Sequence, residues 1–426
     1  MIAFSGVRSS CETFARNRLF VRLASSASAQ AVDVWLASFD KVWQTIRDRH
    51  WDPERKGASW DAARAELRPR MEKASSAGDA RAILSELLAR LGQSHFGIIP
   101  ASAYADLESG GEPGDAHPGF EVRIVEGEPV VSRVLPGMAA ARAGVRTGWV
   151  VRRIGERDAA PVLDKLKDKP LLQAILLQRM LQGDPGQERV YVFLDGGGAE
   201  RAFTLALAAP PGRPVRFGNL PPMRMNVERS LPRPGVVHIR WNAFFEPQWL
   251  QDEMRAAVEG CGGCKGFILD VRGNGGGLGI LAPGVAAWFL DKQNYLGTMY
   301  APTGPLKLVA YPRPVTYNGP VAVLMDGLSA STSEFLAAGL KDLGRARLFG
   351  ETTPGAALPS MIELLPSGDR FQYAVADYVS LGGEPIEGRG VKPHVHVPLT
   401  RAELLAGRDP VLEAAIAWIL NQEEAQ

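Results

Sequence analysis

The chain has 426 residues, of which 46% are hydrophobic and 22% are charged, and its 48 lysines and arginines nearly balance its 47 acidic residues. This length predicts about two to four domains, and the balanced charge excludes a basic nucleic-acid footprint and an acidic tail. Three cysteines are too few for a disulfide scaffold, and no apolar run approaches the roughly 18 residues of a membrane-spanning helix.

Residues 1–31 have some features of a leader segment. Their arginines accompany a single acid, Glu12, and a run of small residues extends from Ala24 to Ala31, but Arg22 interrupts the apolar stretch between them. A secretory signal combines a basic start, an apolar stretch of about 7–15 residues and a small-residue cleavage site. Two of these features are present, which favours a periplasmic or secreted protein; a disordered leader on a cytoplasmic protein is the alternative.

The next segment has a helical pattern. Apolar residues recur at three- and four-residue steps from Val32 to about Ser102, which predicts an N-terminal helical domain over residues 32–102. The pattern then lapses into glycine, proline and acidic residues up to Pro118, a composition typical of a linker.

Short β-like runs occupy residues 119–208, with a turn, an alanine-rich helix and a second turn at 135–148. This order resembles a PDZ domain, although Trp149 stands where such domains usually carry aspartate. The resemblance implies a PDZ-like domain over residues 117–208, in which the Gly119-Phe120 loop captures the terminal carboxylate of a peptide by β-augmentation. A packing module with a closed groove is the alternative.

A proline-rich hinge leads into residues 215–426, where strand-like and helical stretches alternate, as in an α/β domain with a mainly parallel sheet. Cys261 and Cys264 fall in a turn of this domain. One pair of cysteines lacks the second pair that a zinc site needs, so we expect two free thiols. The predicted strands are Val236–Arg240, Gly266–Val271 and Val321–Met325, and the predicted helices are Trp249–Gly260, Gly284–Leu290 and Glu334–Leu343.

Two motifs of this domain suggest chemistry. The strand ending at Val271 runs into Arg-Gly-Asn-Gly-Gly-Gly, where backbone N–H groups can approach a ligand without side-chain obstruction. No Lys-Ser/Thr pair follows, so an oxyanion site is preferred to a phosphate cradle. The strand ending at Met325 leads through a serine-rich turn into a helix, which places a hydroxyl near the positive end of the helix dipole. By themselves, serines at such a place are more often N-caps than nucleophiles.

Together the motifs closely resemble the C-terminal processing peptidases and the core of tricorn protease. Those proteins share "LDLRxNxGG", "SASASE" and "GRAxxxGExTxG", the last matching Gly344 to Gly355. The resemblance implies a crotonase-like α/β core with Ser331 as nucleophile. It also implies an oxyanion hole formed by the N–H of Thr332 and that of Gly275 or Gly276.

The general base departs from the better-known branch of that family. Processing peptidases carry a catalytic lysine at the position of Ala356, and neither Lys341 nor Lys265 occupies a matching site. An unassisted alcohol stays protonated at neutral pH and attacks poorly. The tricorn-like branch uses a histidine instead. The resemblance then implies His95 as base, Ser94 as its neighbour and Glu387 as the carboxylate that completes the charge network.

We therefore expect a serine peptidase that works through an acyl-enzyme. An esterase or amidase of the same fold and a non-catalytic relative, as among retinoid-binding proteins, are the alternatives. The fold also resembles crotonases, but we do not expect acyl-CoA chemistry, because the serine and histidine motifs would have no role in it. We expect peptide or small ester or amide substrates, no cofactor, no metal, no nucleic acid and no membrane span, and the sequence leaves a homo-oligomer open. His394 and His396 form an H-x-H pair that we interpret as strand residues.

Overall fold

The computed structural model describes residues 32–104, 116–164, 166, 170–220 and 223–422, so the predicted leader lies outside the described residues. The chain divides into two compact units. One extends to Ala101 and includes Ser360–Val375, and the other comprises Ser102–Pro359 and Ala376–Gln426. In the described part of the chain, no helix is long and apolar enough to cross a membrane.

The first unit is mainly helical, as its sequence pattern predicts. Two tryptophans brace its core, because the indole of Trp43 donates to the carbonyl of Trp60 at 3.3 Å and the indole of Trp60 donates back at 3.1 Å. A hairpin from a distant part of the sequence pairs with β1 in a three-stranded antiparallel sheet. The elements are α1 (32–49), α2 (Ala58–Met71), α3 (Ala77–Ala89), β1 (Gly97–Ile99), and the hairpin strands β17 (Ser360–Leu364) and β18 (Arg370–Ala374); a 3-10 turn follows β1 at Ala101–Tyr104.

The second unit begins with an antiparallel sheet of order β2-β3-β4-β6-β7, to which β5 adds a short edge. Trp149 packs here, with its ring 6.0 Å from those of both Phe193 and Phe203. An aromatic residue at this position therefore has a packing role. The elements are β2 (Phe120–Val125), β3 (Glu128–Val134), α4 (Ala139–Ala143), β4 (Val150–Ile154), β5 (Arg157–Asp158), α5 (Ala159–Asp164), α6 (Pro170–Leu181), β6 (Glu188–Leu194) and β7 (Glu200–Ala206).

The rest of this unit is built around a six-stranded sheet of order β10-β11-β12-β15-β16-β20, parallel except for the β10–β11 pair. Two small sheets, β8-β9 and β14-β13-β19, complete it. Its strands are β8 (Arg213–Val215), β9 (Met223–Met225), β10 (Val227–Arg233), β11 (Val236–Trp241), β12 (Gly266–Asp270), β13 (Asn294–Ala301), β14 (Gly304–Ala310), β15 (Val321–Met325), β16 (Arg347–Gly350), β19 (Asp377–Ser380) and β20 (Val395–His396). Its helices are α7 (Pro247–Glu259), α8 (Leu281–Ala286), α9 (Thr332–Asp342), α10 (Arg401–Leu405) and α11 (Pro410–Asn421).

Strand β15 is apolar throughout, and β12 is apolar up to its last residue, Asp270, because helices cover both faces of the sheet. Phe267 and Leu269 belong to a core shared with α7, α8 and α9. Ile268, between them, belongs to a second core shared with α11. The alternation of a strand thus directs successive side chains into opposite cores, and the predicted parallel arrangement of these strands is confirmed.

One local prediction is wrong, and the bounds of another differ from those predicted. Cys261 and Cys264 form a disulfide, with their sulfur atoms 2.06 Å apart, rather than two free thiols. The helix predicted at Gly284–Leu290 instead covers Leu281–Ala286. Pro283 is its third residue, and proline is tolerated in the first helical turn because N–H groups there have no intrahelical partner.

Candidate active site

Two loops meet at one edge of the six-stranded sheet. Since β12 and β15 are parallel neighbours, the loops after their carboxyl ends must emerge at the same edge. Hydrogen bonds join them: the carbonyl of Asn274 accepts from the amide of Ala330 at 3.0 Å and from the hydroxyl of Ser333 at 2.9 Å. The hydroxyl of Thr332 donates to the carbonyl of Gly277 at 3.0 Å.

Ser331 occupies the sharp turn between β15 and α9. Its backbone has φ +56° and ψ −116°, a combination that costs a non-glycine residue on the order of 1–3 kcal/mol. The serine of a nucleophile elbow sits in a similarly strained strand-to-helix turn. The amide of Ser331 donates to the carbonyl of Ala356 at 2.8 Å and to Glu334 Oε2 at 3.0 Å, so its main chain is held firmly.

The two neighbouring serines have structural roles. Ser329 donates its hydroxyl to the carbonyl of Val271 at 2.8 Å, and the Ser333 hydroxyl is committed to Asn274. Within the same unit, no described residue accepts a hydrogen bond from the hydroxyl of Ser331. Of these three serines, Ser331 is the one whose proton is available for transfer.

The glycine loop packs directly against this elbow. Gly276 has φ +98°, and a Cβ atom there would lie 2.7 Å from Cβ of Ser331 and 3.0 Å from the amide nitrogen of Thr332. The amide of Gly276 donates to Asn274 Oδ1 at 2.9 Å, so this alternative oxyanion donor is already engaged. Gly275 is exposed, and in the described part of the chain no acceptor takes its amide. Thr332 is the first residue of α9, where an N–H has no intrahelical partner.

Glu334 is a site residue that the sequence analysis missed. Its side chain is fully buried and accepts four hydrogen bonds, from Thr353 Oγ1 at 2.6 Å and from the amides of Gly355, Ala356 and Ser331 at 2.9, 3.0 and 3.0 Å. Burial raises its pKa to about 7, against the lowering effect of these hydrogen bonds. The S-x-x-E spacing from Ser331 to Glu334 is the sequence signal of a capping box and could have identified it.

The predicted carboxylate lies next to the loop that contacts Ser331. Glu387 Oε2 accepts the amide of Ala357 at 3.0 Å, and Ala357 follows the residue bonded to the Ser331 amide. A second bond joins the two loops, from the amide of Gly388 to the carbonyl of Gly355 at 2.8 Å. Ser331, Ala356 and Glu387 therefore lie close together within one unit.

Neither lysine considered in the sequence analysis lies at this elbow. Lys341 is in the last turn of α9, whereas Ser331 precedes the first turn, and its ammonium donates to the carbonyl of Lys392 at 2.8 Å. Lys265 precedes the first residue of β12, at the opposite end of that strand from the glycine loop.

His95 and Ser94 belong to the other unit. His95 has φ +60°, unusual for a residue other than glycine, and its Nδ1 lies 2.7 Å from the hydroxyl oxygen of Ser94. Burial lowers the pKa of His95 to about 4. The imidazole is therefore neutral at physiological pH, the state in which it can accept a proton.

Asp326 links both loops of the elbow to the antiparallel sheet. Its Oδ1 accepts the amide of Gly273 at 2.9 Å and that of Leu328 at 3.0 Å. Its Oδ2 accepts from Nε of Arg123 on β2 at 3.0 Å. The side chains of Arg123 and Asp326 help to line a cavity of about 1370 Å³. Ser331 is not among the residues that line this cavity.

At the predicted peptide-capture loop, Phe120 is fully buried, and the amide of Gly119 donates to Nδ1 of His117 at 3.1 Å. Burial lowers the pKa of His117 to about 4, which keeps its ring neutral and able to accept. His394 also has a structural contact, because its Nδ1 accepts the amide of Leu348 at 3.0 Å. In the ranges that the structure describes, no cluster of three or more potential metal ligands is found.

The mixed α/β architecture is that of the S41 peptidases. Residues 235–397 match the model of peptidase family S41, and residues 32–89 match that of the tricorn protease C1 domain. The chain therefore contains an S41 peptidase domain and a tricorn C1 domain, and it is related to the tricorn protease homologs and the C-terminal processing proteases.

Relatives in both groups align with most of this chain. Tricorn protease homolog 1 of Streptomyces coelicolor is 26% identical over 91% of this chain and 35% of its own length. The chloroplastic C-terminal processing peptidase of Tetradesmus obliquus is 26% identical over 88% of this chain and 80% of its own length. The chain spans about a third of the length of the tricorn homologs it matches.

Among solved structures, the photosystem II D1 C-terminal processing protease has a TM-score of 0.57 to this chain, with 23% sequence identity. The match covers 85% of this chain and 93% of that protein. It shows the likeness of the two folds.

Proposed function

We propose that this chain is a serine peptidase-type hydrolase in which Ser331 attacks a peptide carbonyl and forms an acyl-enzyme. The main support for the proposal is the strained backbone of Ser331, in the turn at the start of α9. This turn packs against Gly276. A non-catalytic relative would have no use for this strain, which the surrounding hydrogen bonds must offset.

In the proposed reaction, the hydroxyl oxygen of Ser331 adds to the substrate carbonyl, and its proton passes to His95. The negative charge that develops on the carbonyl oxygen is held by the amides of Thr332 and Gly275. Gly276 contributes close packing, since its own amide is engaged by Asn274. Proton return from His95 to the leaving amine gives the acyl-enzyme, and water then hydrolyses it.

His95 replaces the lysine of the processing peptidases in this proposal. Its ring is neutral at physiological pH, so a ring nitrogen can accept the proton. A pKa of about 4 makes it a weaker base than an ordinary histidine. Ser94 orients the ring through the 2.7 Å contact at Nδ1, and Glu387 stabilises the cation that forms. Alanine at position 356 leaves the site without the lysine amine, so catalysis needs this histidine.

Each of the three domains has a role in this proposal. Residues 215–426, apart from the 360–375 hairpin of the first unit, form a crotonase-like catalytic core. Residues 117–208 form a PDZ-like domain, and residues 32–102 form the helical domain that supplies His95. A peptide would add to the β2 edge, and its terminal carboxylate would approach Gly119 and Phe120. Support comes from the sheet order, in which β2 is an edge strand.

Hydrolysis of casein and of short-chain nitrophenyl esters by the wild type and by Ser331→Ala tests the reaction. We expect casein cleavage that the variant loses. If the wild type hydrolyses the esters but does not cleave casein, the esterase alternative is favoured, since the same catalytic groups cleave esters more easily than peptides. Equal turnover by both forms would contradict the role of Ser331.

A further inference from the structure

Glu334 is a buried carboxylate whose hydrogen-bond partners are all uncharged. Its four donors are one hydroxyl and three backbone amides, and no described residue forms an ion pair with it. A buried ionisable group without a cation is costly. Stability alone therefore does not explain an ionisable group at this position.

The hydrogen-bond partners of Glu334 show which two segments of the chain it joins. Oε2 accepts the amides of Ser331 and Ala356, while Oε1 accepts the Thr353 hydroxyl and the Gly355 amide. One carboxylate therefore spans the elbow and a loop that lies about 20 residues further along the chain. The same loop anchors Glu387 through Ala357.

We propose that Glu334 is a positioning residue, which fixes the Ser331 elbow against residues 353–357 and thereby sets the reactivity of the Ser331 hydroxyl without touching the substrate. This inference rests on the proposed function. The carboxylate acts through the backbone of Ser331, since it accepts the amide of this residue, whose φ is +56°.

Both carboxylate oxygens of Glu334 must act as hydrogen-bond acceptors in this geometry. Three of the four donors are backbone N–H groups, which can only donate. A glutamine of the same size would turn its NH₂ group toward one pair of these donors, so a backbone amide, that of Gly355 or that of Ala356, would lose its acceptor. Glu334→Gln is therefore a sharp test, because it changes hydrogen bonding with almost no change in volume.

Thr353 offers a milder test of the same network. Its hydroxyl donates to Glu334 and accepts the amide of Val391 at 2.7 Å. Thr353→Val removes this hydroxyl with little change in shape, whereas Thr353→Ser keeps it. Asp342→Asn is a matched control at the far end of α9, where Asp342 accepts one amide, that of Gly382, at 2.7 Å.

The experiment measures the rate at which a fluorophosphonate labels the full-length chain, the kcat and KM for a nitrophenyl ester, and amide hydrogen exchange. We expect Glu334→Gln to lower the labelling rate and kcat at least tenfold with KM little changed. Thr353→Val should lower both rates several-fold, and Thr353→Ser and Asp342→Asn should resemble the wild type. Exchange in residues 329–334 and 353–357 should accelerate in Glu334→Gln.

Wild-type labelling and exchange in a folded Glu334→Gln protein would overturn the inference. If Glu334→Gln does not fold, the two Thr353 variants provide the test. Equal labelling rates and equal kcat values for Thr353→Val and Thr353→Ser would contradict the inference. If the wild type itself is not labelled, the proposed function fails, while the exchange comparison still tests whether Glu334 fixes the two loops.

Discussion

The amide nitrogen of Ser331 lies 2.8 Å from the carbonyl oxygen of Ala356. The resemblance to the processing peptidases implies a lysine at the position of Ala356, which is in direct backbone contact with the candidate nucleophile. This chain has the backbone contact, but alanine supplies no amine there. The proposal of a histidine base follows from this contrast.

Replacing His95 by alanine should lower kcat/KM by about 10²–10⁴-fold, because that is the usual contribution of a general base. His396→Ala removes an exposed histidine of β20 and serves as the matched control, with unchanged turnover. Ester hydrolysis measured for both variants, together with thermal unfolding, checks this expectation. Wild-type turnover in a folded His95→Ala protein would remove His95 from the mechanism.

Alanine at Gly276 should damage both stability and activity. Its Cβ atom would lie 2.7 Å from Cβ of Ser331 at a φ of +98°, and overpacking of this kind costs roughly 1–3 kcal/mol. Relief of the clash would displace the elbow, so we expect at least a hundredfold loss of fluorophosphonate labelling. Gly327→Ala is the control, because a Cβ there meets nothing within 4 Å; similar behaviour of the two variants would contradict the prediction.

Removal of the Arg123–Asp326 ion pair should weaken both loops of the elbow. The exposed fractions of these two side chains are 12% and 13%, so Arg123→Met leaves a largely buried carboxylate without its cation, at a cost of roughly 1–3 kcal/mol. Arg152→Met breaks an exposed pair with Glu128 and should cost about 1 kcal/mol or less. Chemical unfolding compares the variants, and equal free energies of unfolding would show that the brace contributes nothing.

The pH dependence of activity should report Glu334. Its pKa is raised to about 7, and the ionised form is the one that accepts all four donors. We therefore expect kcat/KM to fall as pH decreases below 7, approaching about tenfold per pH unit. His95, with a pKa lowered to about 4, remains neutral over most of that range. The pH profile of ester hydrolysis should lose this limb in Glu334→Gln, and persistence of the limb would assign it to another group.

Stability should respond to the same group with the opposite sign. A raised carboxyl pKa means that the folded state binds the proton more tightly than the unfolded state. The contribution of Glu334 is therefore greatest below its ordinary pKa of 4.5 and is lost as pH rises through about 7. The wild type should lose stability relative to Glu334→Gln over this interval, as urea unfolding at several pH values would measure. A constant difference would contradict the raised pKa.

Local patterns sufficed to predict the central strands. Val321–Met325 is apolar throughout and bounded by turn residues, and β15 has those limits. The meeting of the glycine loop and the serine turn also follows from the sequence, once the two strands are taken as parallel neighbours. The sequence pattern, by contrast, places residues 360–375 in the catalytic core, whereas their hairpin pairs with β1. Strand pairing over such a separation depends on tertiary contacts that no local pattern contains.

The site was predicted less completely than the fold. Glu334 carries a recognisable capping-box spacing, but its main partners, Thr353, Gly355 and Ala356, lie 19 to 22 residues away. Those contacts exist only after the elbow and the loop have packed together. The engagement of the Gly276 amide by Asn274 is likewise a matter of conformation, since the motif makes the loop glycines equivalent candidates.

Covalent labelling identifies the nucleophilic serine directly. The wild-type chain is treated with a fluorophosphonate, and the modified peptide is identified by mass spectrometry beside Ser331→Ala. We expect one adduct, on Ser331, that the variant does not form, with no adduct on Ser329 or Ser333. Equal labelling of the variant, or an adduct on either neighbouring serine, would contradict the assignment of Ser331 as the nucleophile.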